Sequence, residues 1–439
     1  MLNKLRTFAL DVRGNVIMII ALAVPVLFMF VAGAIDFSRV IGLRAELQDS
    51  ADVASVGSVA INSVAYKIGQ TMGSGEISAG ETQAVSIFYS DMATHAELSA
   101  VTPKAKVMKD GTLITSTVTV TANYKPYMLG LFGFSTLPVS VTSKSQASMP
   151  PFIDFYLLLD NTPSMGLGAT TADIKLMDDK IGCAFACHET GANAGKDNYT
   201  KAKKYGATTR IDVVRQATQN LMTTAQKTQT IAGQYRMAIY HFGMAADAID
   251  LKAPQPYKVS ALTTDLTASA ANAAKIDLMT TLRQNYNNDS QTNFKSVLTG
   301  MNSLIGTPGT GTSSSTAQKV LFFVSDGLND GYDCAYNNIA NNPCRRITPL
   351  DTKQCTDIKS RGVRIAVLYT TYQPAPNDGF FKSYVQKFLP PNSNPSQVAT
   401  QMEACASPGL YFEVSPSQGI NEAMTALFNK IVSVVRINS

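Results

Sequence analysis

The stretch FYLLLDNTPSM, residues 155–165, sets an unbroken apolar run directly ahead of Asp160, Thr162 and Ser164. A short, continuous apolar run of this kind reads as a strand buried on both faces, as in a parallel sheet. Alternate residues of an extended chain point the same way, so one carboxylate and two hydroxyls converge just past the strand end. Hard divalent cations take oxygen ligands, and Mg²⁺ keeps several waters and few carboxylates. The stretch therefore predicts a cation site at the carboxyl end of a buried strand, which is where open α/β sheets bind their ligands.

Two further stretches supply matching oxygens. NDSQTNFKSVL places Thr292 just before a predicted helix, and VLFFVSDGLND places Asp326 after a second buried strand. Taken singly, each has a plainer reading: Asp160 and Ser164 as helix caps, Thr292 as an N-cap, Asp326 with Gly327 as a turn. Three such loops at strand ends of one sheet favour a metal. Around them, strand signals at Phe152–Leu159, Tyr235–Phe242, Val320–Val324, Val363–Tyr369 and Gly409–Val414 alternate with helical spacing at Arg210–Gln226, Asn293–Leu304 and Ile420–Val435. That alternation predicts an α/β domain, a mostly parallel, Rossmann-like sheet flanked by helices, over residues 153–436.

The N-terminal third reads differently. VIMIIALAVPVLFMFVAGAI, residues 16–35, is uncharged and long enough at about 1.5 Å per residue to cross a hydrocarbon core of about 30 Å. The run passes without a cleavage-type segment into DFSRVIGLRAELQDSADVAS, which favours a retained anchor over a removed signal peptide. Lys4, Arg6 and Arg13 precede the span against Asp11 alone, so residues 1–15 are expected in the cytoplasm and the remainder exported across an inner membrane. Beyond it, Val40, Leu43, Leu47, Ala51, Ala54 and Val59 recur at helical spacing, and alternating runs at Leu113–Ala122 and Leu137–Ser145 predict strands. Residues 36–148 are thus expected to form a helix and a small β-rich region, closed by a proline linker at 149–152.

All six cysteines lie far past the span, an even number in the part expected to be exported, where disulfides persist. The pairing does not follow from the sequence, although Cys334 with Cys344 would close a short Asn-rich loop and Cys355 with Cys405 would tie two later segments. Cys183 and Cys187 fall in GCAFACHETG, inside an insertion at about 166–207. With His188 they form C-x-x-x-C-H, one residue longer than the c-type haem motif. The cluster reads first as a short-loop disulfide, with a metal or haem site as alternatives. The net charge of +5 is spread along the chain and no basic run interleaves with aromatics, which argues against nucleic-acid binding. Ser164 lies outside a G-x-S-x-G turn, His188 and His241 have no neighbour marking them as a base, and TPGTGTSSSTAQ lacks the ending of a phosphate loop, so no catalytic activity is expected.

Two resemblances follow from these residues. From about 150 to 436 the chain resembles the von Willebrand factor type A domains, whose metal-ion-dependent adhesion site (MIDAS) combines an Asp-x-Ser-x-Ser loop, a Thr and an Asp. The resemblance assigns Asp160, Thr162 and Ser164 to the first loop, with Thr where Ser is usual, Thr292 to the second and Asp326 to the third. It implies a divalent cation, Mg²⁺ foremost with Mn²⁺ or Ca²⁺ as alternatives, completed by a partner's carboxylate. RGNVIMIIALAVPVLFMFVAGAIDFSRV followed by LRAELQDSADVAS, residues 13 to about 60, resembles the TadE/TadG-like membrane region of Flp (tight adherence) pilus assembly proteins. Together they imply a non-enzymatic TadG-like component whose partners are other Tad assembly proteins or pilin. A redox or cofactor-carrying protein built on Cys183, Cys187 and His188, and an adhesin unrelated to pili, are the alternative expectations.

Overall fold

The structure, a computed structural model, describes residues 14–185, 188–243, 256–283, 292–332, 345–372, 374–375, 378–415 and 419–437. It divides into two compact units, Met1–Met149 and Pro150–Ser439.

The first unit is organised by one uninterrupted helix, α1 (Gly14–Val59), which contains Pro25. Among the described residues it is the helix long and apolar enough to cross a membrane. Its side chains from Ile17 to Val31 are exposed, whereas Leu43, Leu47, Ala51 and Ala54 are buried. That second stripe, at helical spacing, packs with Phe88, Val118, Val120 and Val141 into one apolar core. The residues facing it come from α3 (Ser78–Asp91) and from an antiparallel sheet of β1 (Gly75–Glu76), β2 (Leu98–Asp110), β3 (Leu113–Tyr124) and β4 (Leu137–Ser148) in that order, with a short α2 (Val64–Gly69) alongside. Small serines let helix and sheet approach closely: Ser55 Oγ lies 2.8 Å from Ser143 Oγ, and Ser58 donates to Ser116 at 2.8 Å.

The second unit holds a six-stranded sheet. Its central strand is β5 (Ile153–Leu159), and all of its residues are buried. The chain continues through the insertion, with α4 (Thr171–Ile181), β6 (His188–Glu189) and α5 (Asn198–Lys204), into α6 (Arg210–Thr228), β7 (Tyr235–His241), β8 (Tyr257–Thr263), α7 (Leu266–Ala273) and β9 (Thr280–Thr281). There follow α8 (Phe294–Leu304), β10 (Gln318–Ser325), β11 (Leu328–Tyr332), β12 (Arg345–Pro349), α9 (Lys353–Ser360), β13 (Arg364–Thr370), α10 (Gln397–Cys405), β14 (Tyr411–Val414) and α11 (Ile420–Ile437). The sheet order is β14-β13-β10-β5-β7-β8. All neighbours are parallel except β8, which runs antiparallel to β7 at the edge. Numbered along the chain within this sheet, that is the Rossmann order 3-2-1-4-5-6.

Both faces of the sheet are covered, which explains why β5 shows no apolar–polar alternation. Phe155, Leu157 and Leu159 pack with Ile211, Val214 and Leu221 of α6 and Leu427 and Phe428 of α11. Tyr156 and Leu158 pack on the opposite side with Phe294 and Leu298 of α8, Ile358 of α9 and Met402 of α10. The exception on β5 is Asp154, fully buried, whose carboxylate accepts from Arg236 of β7 at 2.6 and 2.8 Å and from Lys319 of β10. It ties the three central strands together at their amino ends.

Cys355 of α9 and Cys405 of α10 are joined by a disulfide. Cys183 is a free thiol whose Sγ lies 3.0 Å from Phe185 O, so the short-loop bridge expected for it is not formed here. Cys187, Cys334 and Cys344 lie outside the described residues.

Candidate metal centre

In a 3-2-1-4-5-6 sheet the connections leave in opposite directions on the two sides of the first strand, and a crevice opens between the first and fourth strand ends. Those strands are β5 and β10, which pair in parallel from Gln318↔Ile153 to Val324↔Leu159. Asp160 and Asp326 follow them directly, and neither is exposed to solvent. The fold thus brings two carboxylates into one crevice although they stand far apart in sequence.

Hydrogen bonds link the predicted ligands. Thr162 donates to Asp160 Oδ1 from its hydroxyl at 2.7 Å and from its backbone N–H at 3.0 Å. Thr162 Oγ1 lies 3.4 Å from Ser164 Oγ, and Ser164 in turn hydrogen-bonds Asp326. Thr292 lies on a separate loop. Its backbone is bridged in both directions to Asp330, at 2.8 and 2.9 Å, on the strand that follows Asp326. Its side chain is buried, and its hydroxyl makes no hydrogen bond among the described residues. The cap of α8 is Asn293, which accepts from Ser296 N at 3.1 Å, so Thr292 is not used for capping.

Three residues that the sequence did not point to complete the surroundings. Ser325 donates to Asp160 Oδ2 at 2.6 Å, and Asn161 clamps the first loop by accepting from Gly243 N at 2.6 Å and donating to Asp277 O at 3.1 Å. A Cβ on Gly243 would lie 2.7 Å from Asn161 Oδ1, so that clamp requires glycine. Gly327, at φ +72°, makes the turn after Asp326, and a Cβ there would lie 2.6 Å from Met402 Cγ. The third residue is Arg210, at the start of α6, wholly buried. Its Nη1 lies 3.4 Å from Asp326 Oδ2, its Nη2 donates to Thr371 O at 2.8 Å, and its guanidinium lies 5.0 Å from the Tyr372 ring centre. Arg210 Nε has no hydrogen-bond partner among the described residues.

Electrostatics follow from burial. Desolvation pushes the Asp160 carboxyl up to about 7, the Asp326 charge adds to this, and the bonds from Ser325 and Thr162 pull the other way. Asp326 is also raised by burial, opposed by the Arg210 guanidinium and by Ser164. Two desolvated carboxylates in one crevice are short of positive charge when both are ionised, and hydroxyls stand around them. That donor set fits a hard divalent cation.

The cysteine and histidine of the insertion are used otherwise. His188 Nδ1 lies 3.2 Å from Leu278 O, and its ring centre lies 4.9 Å from that of Tyr199, tilted by 37°. Among the described residues no cluster of three or more His, Cys, Asp or Glu side chains is grouped for metal binding. The oxygens of the crevice are two carboxylates plus hydroxyls.

Comparison with known proteins adds the following. Residues 14–60 match the family described as Putative Flp pilus-assembly TadE/G-like. No curated protein matches the chain. Among solved structures, similarity is found to the vWF domain of the type V pili tip protein Mfa5 from Porphyromonas gingivalis, at 10% identity and TM-score 0.38, covering 66% of this chain and 97% of that one. The pilus adhesin SpaC from Lactobacillus rhamnosus GG, in its open conformation, matches at 11% identity and TM-score 0.36, over 78% of this chain and 35% of that one. Proximal thread matrix protein 1 from the mussel byssus, with a zinc-occupied MIDAS motif, matches at 12% identity and TM-score 0.34, over 64% of this chain and 46% of that one. This chain therefore spans about a third to a half of the latter two. The sheet order itself carries the fold assignment: a region at residues 14–60 that matches a TadE/G-like Flp pilus-assembly family is followed by a doubly wound α/β domain with a mostly parallel sheet.

Proposed function

We propose that this protein is a non-enzymatic component of a Flp-type pilus assembly machine, held in the inner membrane by α1 with its N-terminus in the cytoplasm. Its exported α/β domain grips a partner protein through a divalent cation, Mg²⁺ foremost. Asp160, Thr162 and Ser164 would hold the ion with Asp326 and Thr292, directly or through water. The observation that carries this reading is the pair of wholly buried aspartates at the β5 and β10 ends, on a chain whose residues 14–60 match a pilus-assembly family. An ion held there would supply charge neutralisation to the two carboxylates.

Charge balance favours an acidic partner. With Asp160 protonated, Asp326 and Arg210 already neutralise one another. When a dication displaces that proton, the buried set carries one surplus positive charge, which a carboxylate from a pilin or another assembly protein would neutralise.

The test is isothermal titration of Mg²⁺ and Mn²⁺ into the exported region. Wild type is expected to bind and Asp160→Ala to lose binding. Equal heats from both proteins would sink the cation reading. The alternative built on Cys183, Cys187 and His188 gains no favouring observation, since the Cys183 thiol and the His188 ring each face a backbone carbonyl.

A further inference from the structure

The segment KPYMLGLFGF, residues 125–134, joins β3 to β4 and contains a one-turn 3-10 helix at Leu129–Phe132. It holds Tyr127 83% exposed, Leu131 79%, Phe134 44% and Phe132 40%. In water such a cluster is unfavourable by about 25 cal/mol for each Å² of apolar surface left wet. Exposed apolar groups gathered in one place mark a contact surface.

The position of the segment identifies the contact. Asp36 of α1 is 1% exposed, and its carboxylate accepts from the backbone N–H groups of Tyr127 at 2.9 Å, Met128 at 3.0 Å and Leu129 at 2.6 Å. It also accepts from the Tyr124 hydroxyl at 2.9 Å. Leu129 lies against Gly33, where a Cβ would be 4.0 Å from its Cδ2. The segment is therefore fixed to α1 around residues 32–36. Just before that point, the helix side chains from Ile17 to Val31 are exposed and apolar, and Ala32 is the first buried one. On the reading of α1 as a membrane span, the run from Ile17 to Ile35 fills the hydrocarbon core at about 1.5 Å per residue. Asp36 then marks the exported boundary of the bilayer. Aromatic side chains with a polar tip, such as Tyr127, and basic ones, such as the exposed Lys125 at the base of the segment, suit that boundary.

We propose that the 125–134 segment is a second membrane contact, dipping Tyr127, Leu131, Phe132 and Phe134 into the headgroup–acyl boundary of the bilayer that α1 crosses. Lipid is the occupant because the segment is continuous with the apolar surface of the span and tied to it by Asp36. The proposal rests on the membrane-span reading of α1, and the test separates the two.

The chain contains no tryptophan, so a single introduced one is a lone reporter. Full-length Leu131→Trp, Phe28→Trp and Tyr89→Trp proteins are reconstituted in phosphatidylcholine vesicles with plain or brominated acyl chains. Phe28 lies in the span, and Tyr89 is exposed on α3. The expected result is loss of Phe28→Trp emission with brominated lipid, and a blue-shifted Leu131→Trp emission that is lost most when bromine sits close to the headgroup. Tyr89→Trp is expected to keep its emission. Leu131→Trp behaving like Tyr89→Trp while Phe28→Trp is quenched overturns the segment's role and leaves the span intact. An unquenched Phe28→Trp overturns the span and the proposal with it. A blue-shifted but unquenched Leu131→Trp overturns lipid in favour of protein cover, a second copy if the shift depends on the protein-to-lipid ratio.

Discussion

Arg210 and Asp160 divide the charge problem of the crevice between them. Burial raises both crevice carboxyls, Asp326 against the pull of the Arg210 guanidinium 3.4 Å away and Asp160 up to about 7, so Asp160 keeps a proton that a free aspartate would have lost. In chelator, the unfolded chain releases this proton near pH 4 and the folded chain keeps it to about pH 7. Stability of the α/β domain is therefore expected to fall as pH rises through that window, by on the order of 4 kcal/mol, in urea unfolding. Cation affinity has the opposite slope, because the carboxylate must lose its proton to ligate. Titrations of Mg²⁺ below about pH 7 are expected to show roughly tenfold weaker binding per pH unit. Arg210→Met leaves Asp326 buried and unpaired, which costs about 3–5 kcal/mol, and saturating Mg²⁺ should restore more stability to this variant than to wild type. An equal Mg²⁺ increment in both would separate Arg210 from the cation site. Asp160, Thr162, Ser164 and Asp326 were legible because strand ends announce themselves by apolar runs. Arg210 and Ser325 were not, since their partners are contributed by other loops and nothing local distinguishes a buried arginine at a helix start from an exposed one.

The helices α9 and α10 lie on the same face of the sheet and are stapled by Cys355 and Cys405, 50 residues apart. Closing a loop of that length removes chain entropy from the unfolded state worth about 4 kcal/mol in the loop-closure treatment. A Cys355→Ala/Cys405→Ala protein is expected to unfold at lower urea by an equivalent of about 2–4 kcal/mol, with a steeper transition because the uncrosslinked chain exposes more surface. An undiminished midpoint would show the bridge to be dispensable. The parallel strands were readable to within a residue or two, as with Ile153–Leu159 and Arg364–Thr370, because burial on both faces writes them as solid apolar runs. The edge strand β8 and the long strand β2 gave weaker patterns. β2 carries Pro103, several lysines and a register shift between Ser99 and Thr102, all of which break the alternation that marks a strand. Asp154 was likewise hidden, because its two cations arrive from neighbouring strands.

Each of the two units has its own apolar core, one built on α1 and the antiparallel sheet, the other on the six-stranded sheet. A fragment beginning at Pro150 is accordingly expected to melt at the temperature of the corresponding transition in the longer chain, followed by calorimetry. A displacement beyond about 4 °C, equivalent to 1–2 kcal/mol in a domain of this size, would refute independent folding. Within the first unit, α1 is one 46-residue helix, about 70 Å long, from its apolar end to the serines on the β3 and β4 faces. A shaft of that kind has no slack. On the proposed reading of its apolar end as a membrane span, tension or torque applied to the antiparallel sheet would reach the bilayer as tilt and rotation of the same rod.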